Sequence, residues 1–208
     1  MTLAEELEDL LPANEARFFG ELYLSRIEDG TFVASHRNDM EILESLSTVD
    51  SLPGLREIAK FDANNEYRPL KTAPGLKDGW KTAAASADEF LKRLDCIYPG
   101  LFATWIAYHR GTHDPTPLRD TLDRQTGMYR FAGSITDQMA NEIMRDTCSP
   151  GCLRKIAWPI SSESPVSRLK PGMKSIPVIC TEACTFAVSE ARKLVKEAYE
   201  KANPPAES

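Results

Sequence analysis

Four cysteines in the C-terminal part of the sequence form two pairs with the same spacing. Cys148 and Cys152 are separated by Ser-Pro-Gly, and Cys180 and Cys184 are separated by Thr-Glu-Ala. Two short cysteine pairs joined by a loop are typical of a site in which four thiolates hold one metal centre. The pattern therefore predicts that these four cysteines bind a metal centre.

The residues around each pair favour the deprotonated thiolate that a metal requires. Pro150 and Gly151 predict a tight turn inside the first pair, which would free backbone N–H groups to point at sulfur. The second pair precedes a stripe of apolar residues at helical spacing, so it is predicted to open a helix. The first-turn amides and the positive end of the helix dipole would favour an anion there.

Three interpretations are compatible with this cysteine pattern. Zinc sites commonly have two residues between paired cysteines, whereas both pairs here have three. Apolar and proline residues that would shelter a cluster from water flank the pairs: Trp158, Pro159, Ile176, Pro177, Val178 and Ile179. We therefore expect a 4Fe–4S cluster, with zinc as the first alternative and disulfides or free thiols as the second. The fifth cysteine, Cys96, is expected to be a free thiol without a role.

Composition and charge restrict the partners of the chain. The 208 residues carry a formal net charge of −6, which argues against a general nucleic-acid or anionic-membrane surface. The longest apolar stretch, at residues 101–108, is too short to span a bilayer, and the acidic N-terminus does not resemble a secretory signal. We expect a cytoplasmic protein, because in that compartment paired cysteines are more often ligands or redox groups than disulfides.

The elements that would position the cysteines predict an α+β fold that is mostly helical, with an N-terminal β-hairpin or small antiparallel sheet. Alternating residues between 15 and 37 indicate the hairpin, and apolar residues at three- and four-residue intervals indicate helices at 87–98, 101–109 and 118–125. A further helix, capped by Ser134, is predicted to end just before Cys148. Prolines at 159, 165, 171 and 177 predict an extended connection between the two cysteine pairs.

Several segments outside the cysteine pairs carry a resemblance to a known family. They are Tyr67-Arg68-Pro69-Leu70 through Gly79-Trp80, the segment from Arg124 to Arg130, Ile176-Pro177 and Ala191-Arg192. With the cysteine pairs, these segments make the chain resemble the C-terminal iron–sulfur region of CbiX-type chelatase-like proteins. In that family tandem sirohydrochlorin-chelatase-like domains precede a four-cysteine 4Fe–4S domain. The similarity extends over most of the chain from about residue 15.

The resemblance implies a cofactor, a domain organisation and partners. Cys148, Cys152, Cys180 and Cys184 would ligate a 4Fe–4S cluster. Residues 1–14 would form an N-terminal helix, 15–130 a stabilising α+β scaffold, 131–202 the iron–sulfur region and 203–208 a disordered tail. The chelatase-like domains are not in this sequence, so chelatase activity is not carried over. A redox partner protein or a chelatase-like protein would be a separate chain.

The cluster predicts an electron-transfer or redox role, linked to tetrapyrrole or cobalamin metabolism by the resemblance. Two alternatives remain. One is a structural or interaction module stabilised by zinc or by a cluster, and the other is an enzyme that uses one cluster iron as a Lewis acid. Arg68, Arg124 and Arg130 are candidate ligands for an anionic small molecule, because arginine pairs with carboxylates bidentately. Structural salt bridges are the preferred explanation for these arginines.

Overall fold

A computed structural model describes residues 1–125, 127, 131–148, 150–159, 169 and 174–203. The chain forms two compact units. The first comprises Met1–His113 and Leu169–Ile179, and the second comprises Asp114–Arg168 and Cys180–Ser208. All four paired cysteines therefore belong to the second unit.

Eight strands and seven α-helices occur in the described residues. The strands are β1 (Ala16–Phe19), β2 (Leu22–Arg26), β3 (Phe32–His36), β4 (Ser47–Thr48), β5 (Trp80–Ala84), β6 (Lys155–Ile156), β7 (Ser175–Ile176) and β8 (Ile179–Cys180). The helices are α1 (Leu3–Leu10), α2 (Leu52–Lys60), α3 (Ala87–Ile97), α4 (Leu101–His109), α5 (Leu118–Arg124), α6 (Asp137–Ile143) and α7 (Thr185–Ala202). None of the described helices is long and apolar enough to cross a membrane.

The first unit is built on a six-stranded mixed sheet in the order β4-β5-β3-β2-β1-β7. Its central strands are antiparallel, whereas β4 runs parallel to β5 and β7 runs parallel to β1. Alternate strand residues such as Leu22 and Leu24 are fully buried, as expected for a sheet with one face against a core. Aromatic rings connect the sheet to the helices: Phe32 stacks on Phe90 of α3 with ring centroids 5.3 Å apart.

The second unit has its own hydrophobic core, formed mainly by one face each of α5, α6 and α7. Its most completely buried side chains are Leu118, Leu122, Ile143 and Ala191. Trp158 and Cys180 belong to the same core. The packing that holds the three helices together therefore also holds part of the cysteine site.

The observed architecture confirms the predicted α+β class with a C-terminal cysteine region. The sheet is larger than the predicted hairpin for two reasons. The stretch expected to be one strand turns at Gly20 and Glu21 into β1 and β2, and β4, β5 and β7 join from other parts of the chain. Gly20 adopts a φ of +62°, which glycine tolerates at little cost. The helix before Cys148 is present, but Thr136 caps it by accepting a hydrogen bond from the Met139 N–H, so the prediction of Ser134 as its cap was wrong. Pro165, Pro171 and the predicted tail from residue 204 lie outside the described residues.

Candidate metal centre

Cys148 lies at the end of a widened helical turn. Helix α6 continues into a π-helical segment, Met144–Cys148, in which the hydrogen-bonded turn contains one more residue than in an α-helix. Such segments are frequent at functional sites because they reorient side chains at the end of a helix. The Cys148 side chain is half-buried at this point.

A glycine permits the tight turn between the first two cysteines. A Cβ atom added to Gly151 would lie 2.8 Å from the carbonyl oxygen of Thr147, closer than a carbon and a backbone oxygen can approach. The turn therefore depends on the absence of a side chain at this position. It carries the chain directly to Cys152, which is also half-buried.

Cys180 is the most enclosed of the four ligand candidates. It ends strand β8, which pairs with β6, and its carbonyl oxygen accepts a 2.9 Å hydrogen bond from the Ala157 N–H. Its Sγ accepts a hydrogen bond from the indole Nε1 of Trp158 across 3.4 Å. The thiol in turn donates to the carbonyl oxygen of Glu182 across 3.1 Å. Two short strands thus place an N–H donor against this sulfur.

Cys184 is the N-cap residue of the 18-residue helix α7. Its carbonyl oxygen accepts a hydrogen bond from the Val188 N–H, and its half-buried side chain makes no capping hydrogen bond. The positive end of the α7 dipole lies here, so a thiolate at Cys184 would be favoured. Of the second pair only Cys184 lies at the helix start, because Cys180 ends a strand four residues earlier.

The four thiols lie within electrostatic range of one another. Burial, together with the smaller effects of the negative charges of Cys180, Cys184 and Cys152, raises the pKa of Cys148 to about 12. Burial also raises the pKa of Cys180, against the opposing effects of the Trp158 hydrogen bond and the Arg154 charge. Cys148 and Cys180 would therefore hold their protons in the absence of a cation, and a bound metal centre would replace those protons.

The donor set fits an iron–sulfur cluster. Among the described residues, no three His, Cys, Asp or Glu side chains are arranged to hold a single metal ion. The mutual influence of the four thiols nevertheless shows that they share one region. A cluster reconciles these two observations, because each of its irons binds one thiolate and the sulfurs need not converge on one point.

Two residues of the site were not predicted as functional. Arg154 follows Cys152 by two positions, and its Nε is buried without a hydrogen-bond partner. Trp158 was expected only to shelter the centre, but its indole donates to a ligand candidate. Both residues flank β6, a two-residue strand whose pairing with β8 leaves no periodic pattern in the sequence.

The remaining predicted residues lie elsewhere. Cys96 belongs to α3 of the first unit and is 5% exposed, so it is part of that unit's core. Arg68, also in the first unit, is buried; it donates to the backbone carbonyls of Ala59, Lys71 and Ala73 and lies 3.6 Å from a carboxylate oxygen of Glu21.

Arg124 lies beside the second cysteine pair. Its Nη2 contacts the carboxylate of Glu182 at 2.9 Å, and both side chains are exposed. Glu182 stands between Cys180 and Cys184, so this ion pair is attached to the loop that carries two ligand candidates. Arg130 lies outside the described residues. The binding of an anionic molecule by Arg68, Arg124 and Arg130 stays a prediction.

Comparison with known families divides the chain at nearly the same place as the two structural units, close to residue 110. Residues 4–109, just over half of the chain, match the family model of the DR2241 stabilising domain. The chain belongs to the DR2241 stabilising-domain family. Residues 110–193 match the model of a 4Fe-4S iron-sulfur cluster binding domain. The chain therefore carries a domain that binds a 4Fe–4S cluster, which confirms the predicted cofactor.

A solved structure has the same fold. It is DR2241 from Deinococcus radiodurans, described as a multi-domain protein with structural similarity to chelatases and with two additional novel domains. The TM-score is 0.71 at 24% sequence identity, and the match covers 88% of this chain and 39% of that one. The present chain thus spans well under half of its structural relative. No curated protein matches the sequence.

Proposed function

We propose that Cys148, Cys152, Cys180 and Cys184 are the four ligands of one 4Fe–4S cluster, and that the chain acts as a one-electron redox protein. The observation that carries the ligand assignment is the electrostatic effect on Cys148 of the other three thiols, two of which lie beyond the 27 residues that separate the pairs. The cluster supplies one-electron chemistry when bound. The residues of the chain supply the thiolates and their surroundings.

The protein side of the site is asymmetric. Cys180 is 7% exposed, belongs to the hydrophobic core of the second unit and receives the Trp158 hydrogen bond. Cys148, Cys152 and Cys184 are half-buried. An electron would therefore enter and leave on the side of these three cysteines, since the path there crosses less protein. The core side excludes water from the fourth ligand.

The partner that we propose is a separate redox or chelatase-like protein in tetrapyrrole or cobalamin metabolism. The likeness to a protein described as similar to chelatases supports this link, as does the resemblance to the CbiX-type family. An anionic small molecule bound by Arg124 and Arg130, or by Arg68, would be consistent with such a pathway. We place the protein in the cytoplasm, because in that compartment paired cysteines are more often ligands or redox groups than disulfides.

Anaerobic purification followed by iron, sulfide and zinc analysis tests the ligand assignment. Four serine variants, one at each proposed ligand, should each lose cluster iron, whereas Cys96→Ser should retain it. The wild-type protein should be brown and give a reduced-cluster EPR signal. Colourless protein that contains zinc, or full iron content in any of the four variants, would refute the assignment.

A second candidate function is a structural module in which the metal centre fastens α7 to the rest of its unit. Cys180 and Ala183 are buried in the same core as Ala187 and Ala191, which favours this alternative. Measurements of the midpoint potential and of electron exchange distinguish the redox function from the structural one. A cluster that cannot be reduced reversibly by dithionite, but whose loss unfolds the second unit, would favour the structural module.

A further inference from the structure

Arg154 presents a polar atom to the interior of the second unit without a visible partner. Its Nε is fully buried and makes no hydrogen bond, and no ion pair joins Arg154 to any of the described carboxylates. Buried N–H groups are nearly always hydrogen-bonded in folded proteins, so an orphaned donor calls for an acceptor. The cysteine site could supply one, because Arg154 follows Cys152 by two positions.

The position of Arg154 in the chain brings it to that site. It stands between Cys152 and β6, and β6 pairs with the strand that ends at Cys180. Its positive charge lies within electrostatic range of the Cys180 sulfur. Arg154 therefore lies between a chain segment that carries one cysteine of the first pair and a strand pair that carries one cysteine of the second.

We propose that Arg154 donates its buried Nε–H to sulfur of the bound cluster and thereby stabilises the reduced form. This inference rests on the proposed ligand set. Reduction adds one electron and no proton, so the four-thiolate cluster gains one negative charge. A partly buried guanidinium offsets this charge more effectively than a fully exposed one, because solvent screens it less. Hydrogen bonds and charges near the sulfurs are what set cluster potentials in proteins.

Other arginines near the cysteines do not share this arrangement. Arg145 precedes Cys148 by three residues, but its side chain is 69% exposed and pairs with Asp146 at 2.7 Å. Arg124 is likewise exposed and paired with Glu182. Arg145 is thus a matched control: it has the same side chain at a similar sequence distance from a proposed ligand, but it is exposed and neutralised.

The test is an anaerobic dithionite titration of the 208-residue chain, followed by EPR of the reduced cluster. Arg154→Met removes both the charge and the donor, Arg154→Lys keeps the charge without the planar Nε–H, and Arg145→Met is the control. We expect the wild type to have the highest midpoint potential, Arg154→Lys a more negative one, and Arg154→Met the most negative of the three. Arg145→Met should stay near the wild type.

Iron and sulfide analysis of each variant distinguishes this proposal from the ligand assignment. Failure of the assignment appears as retained iron in the cysteine variants, whatever the potentials. The proposal for Arg154 is overturned if Arg154→Met holds a full cluster at the wild-type potential, or if Arg145→Met shifts the potential equally. If Arg154→Met assembles no cluster, Arg154→Lys provides the test. The proposal then requires that the midpoint potential of Arg154→Lys lie below that of the wild type.

Discussion

The indole Nε1 of Trp158 donates a hydrogen bond to the Sγ of Cys180 across 3.4 Å, and both side chains are buried. This contact joins a residue after strand β6 to the last residue of strand β8. An N–H donor at this distance stabilises negative charge on sulfur. The relationship thus connects the packing of the second unit to the electronic properties of its cluster.

Trp158→Phe should shift the cluster potential to a more negative value. The substitution keeps an aromatic ring in the core but removes the donor to Cys180, so the reduced cluster loses one stabilising hydrogen bond. We expect a loss of about 1 kcal/mol in the unfolding free energy of the loaded protein. The measurements are a dithionite titration and denaturant unfolding under anaerobic conditions.

Trp80→Phe is the matched control for that experiment. Trp80 is also 3% exposed, and its Nε1 donates to the carbonyl oxygen of Lys77, but it belongs to the first unit. It should reduce stability by a similar amount and leave the potential unchanged. Equal potential shifts in both variants would mean that Trp158 acts through general stability rather than through Cys180.

Gly151→Ala should prevent the first cysteine pair from adopting its turn. The added Cβ would meet the Thr147 carbonyl oxygen at 2.8 Å, so the backbone between Cys148 and Cys152 must open. We expect a destabilisation of about 1–3 kcal/mol and a lower iron content per chain. Gly133→Ala, where an added Cβ meets no atom within 4 Å, should keep its cluster. Full iron content in Gly151→Ala would contradict the expected strain.

The sequence predicts the cofactor and nominates its four ligands, but it does not predict the surroundings of the cysteines. Spacing alone identified the four thiols, because metal-binding pairs are local in the chain. Periodicity identified α3, α4 and α5 for the same reason, since each helix repeats its apolar positions within one segment. The family comparison supports the cofactor that this pattern indicates.

What the sequence could not predict depends on pairing between distant segments. The role of Trp158 and the burial of Arg154 follow from the pairing of β6 with β8, two strands of two residues each. Strand β7 joins β1 through contacts such as Phe19 with Ile176, more than 150 residues apart. Strands this short carry no alternation, so no local pattern signals their partners.

Tyr98 should make the stability of the first unit depend on alkaline pH. Burial raises the pKa of Tyr98 from 10.0 to about 12. Below pH 10 the phenol is protonated in both states, so its contribution is complete. Between about pH 10 and about pH 12 the unfolded chain loses this proton first, and the free energy of unfolding should fall by up to about 2–3 kcal/mol.

Denaturant unfolding across this pH range checks the effect of Tyr98, with Tyr98→Phe and Tyr67→Phe for comparison. Tyr98→Phe should lose this part of the pH dependence, and it should also lose about 1–3 kcal/mol at neutral pH because the Glu21 N–H then has no acceptor in the phenol. Tyr67 is 65% exposed, so Tyr67→Phe should behave as the wild type. If the unfolding free energy of Tyr98→Phe falls with pH as in the wild type, the loss of stability at alkaline pH comes from other groups.

Removal of the cluster should loosen the second unit while the first keeps its structure. The ligands of a metal centre are organised only in the folded state, so the free energy of cluster binding contributes directly to the folding of the unit that carries it. The amide of Val188, bonded to Cys184 at the start of α7, should lose protection from hydrogen exchange by at least about tenfold. Amides of the β2–β3 ladder, such as Leu24, pair within the first unit and should keep theirs. Hydrogen exchange with and without an anaerobic iron chelator measures both, and a uniform loss across the chain would show that the cluster stabilises both units.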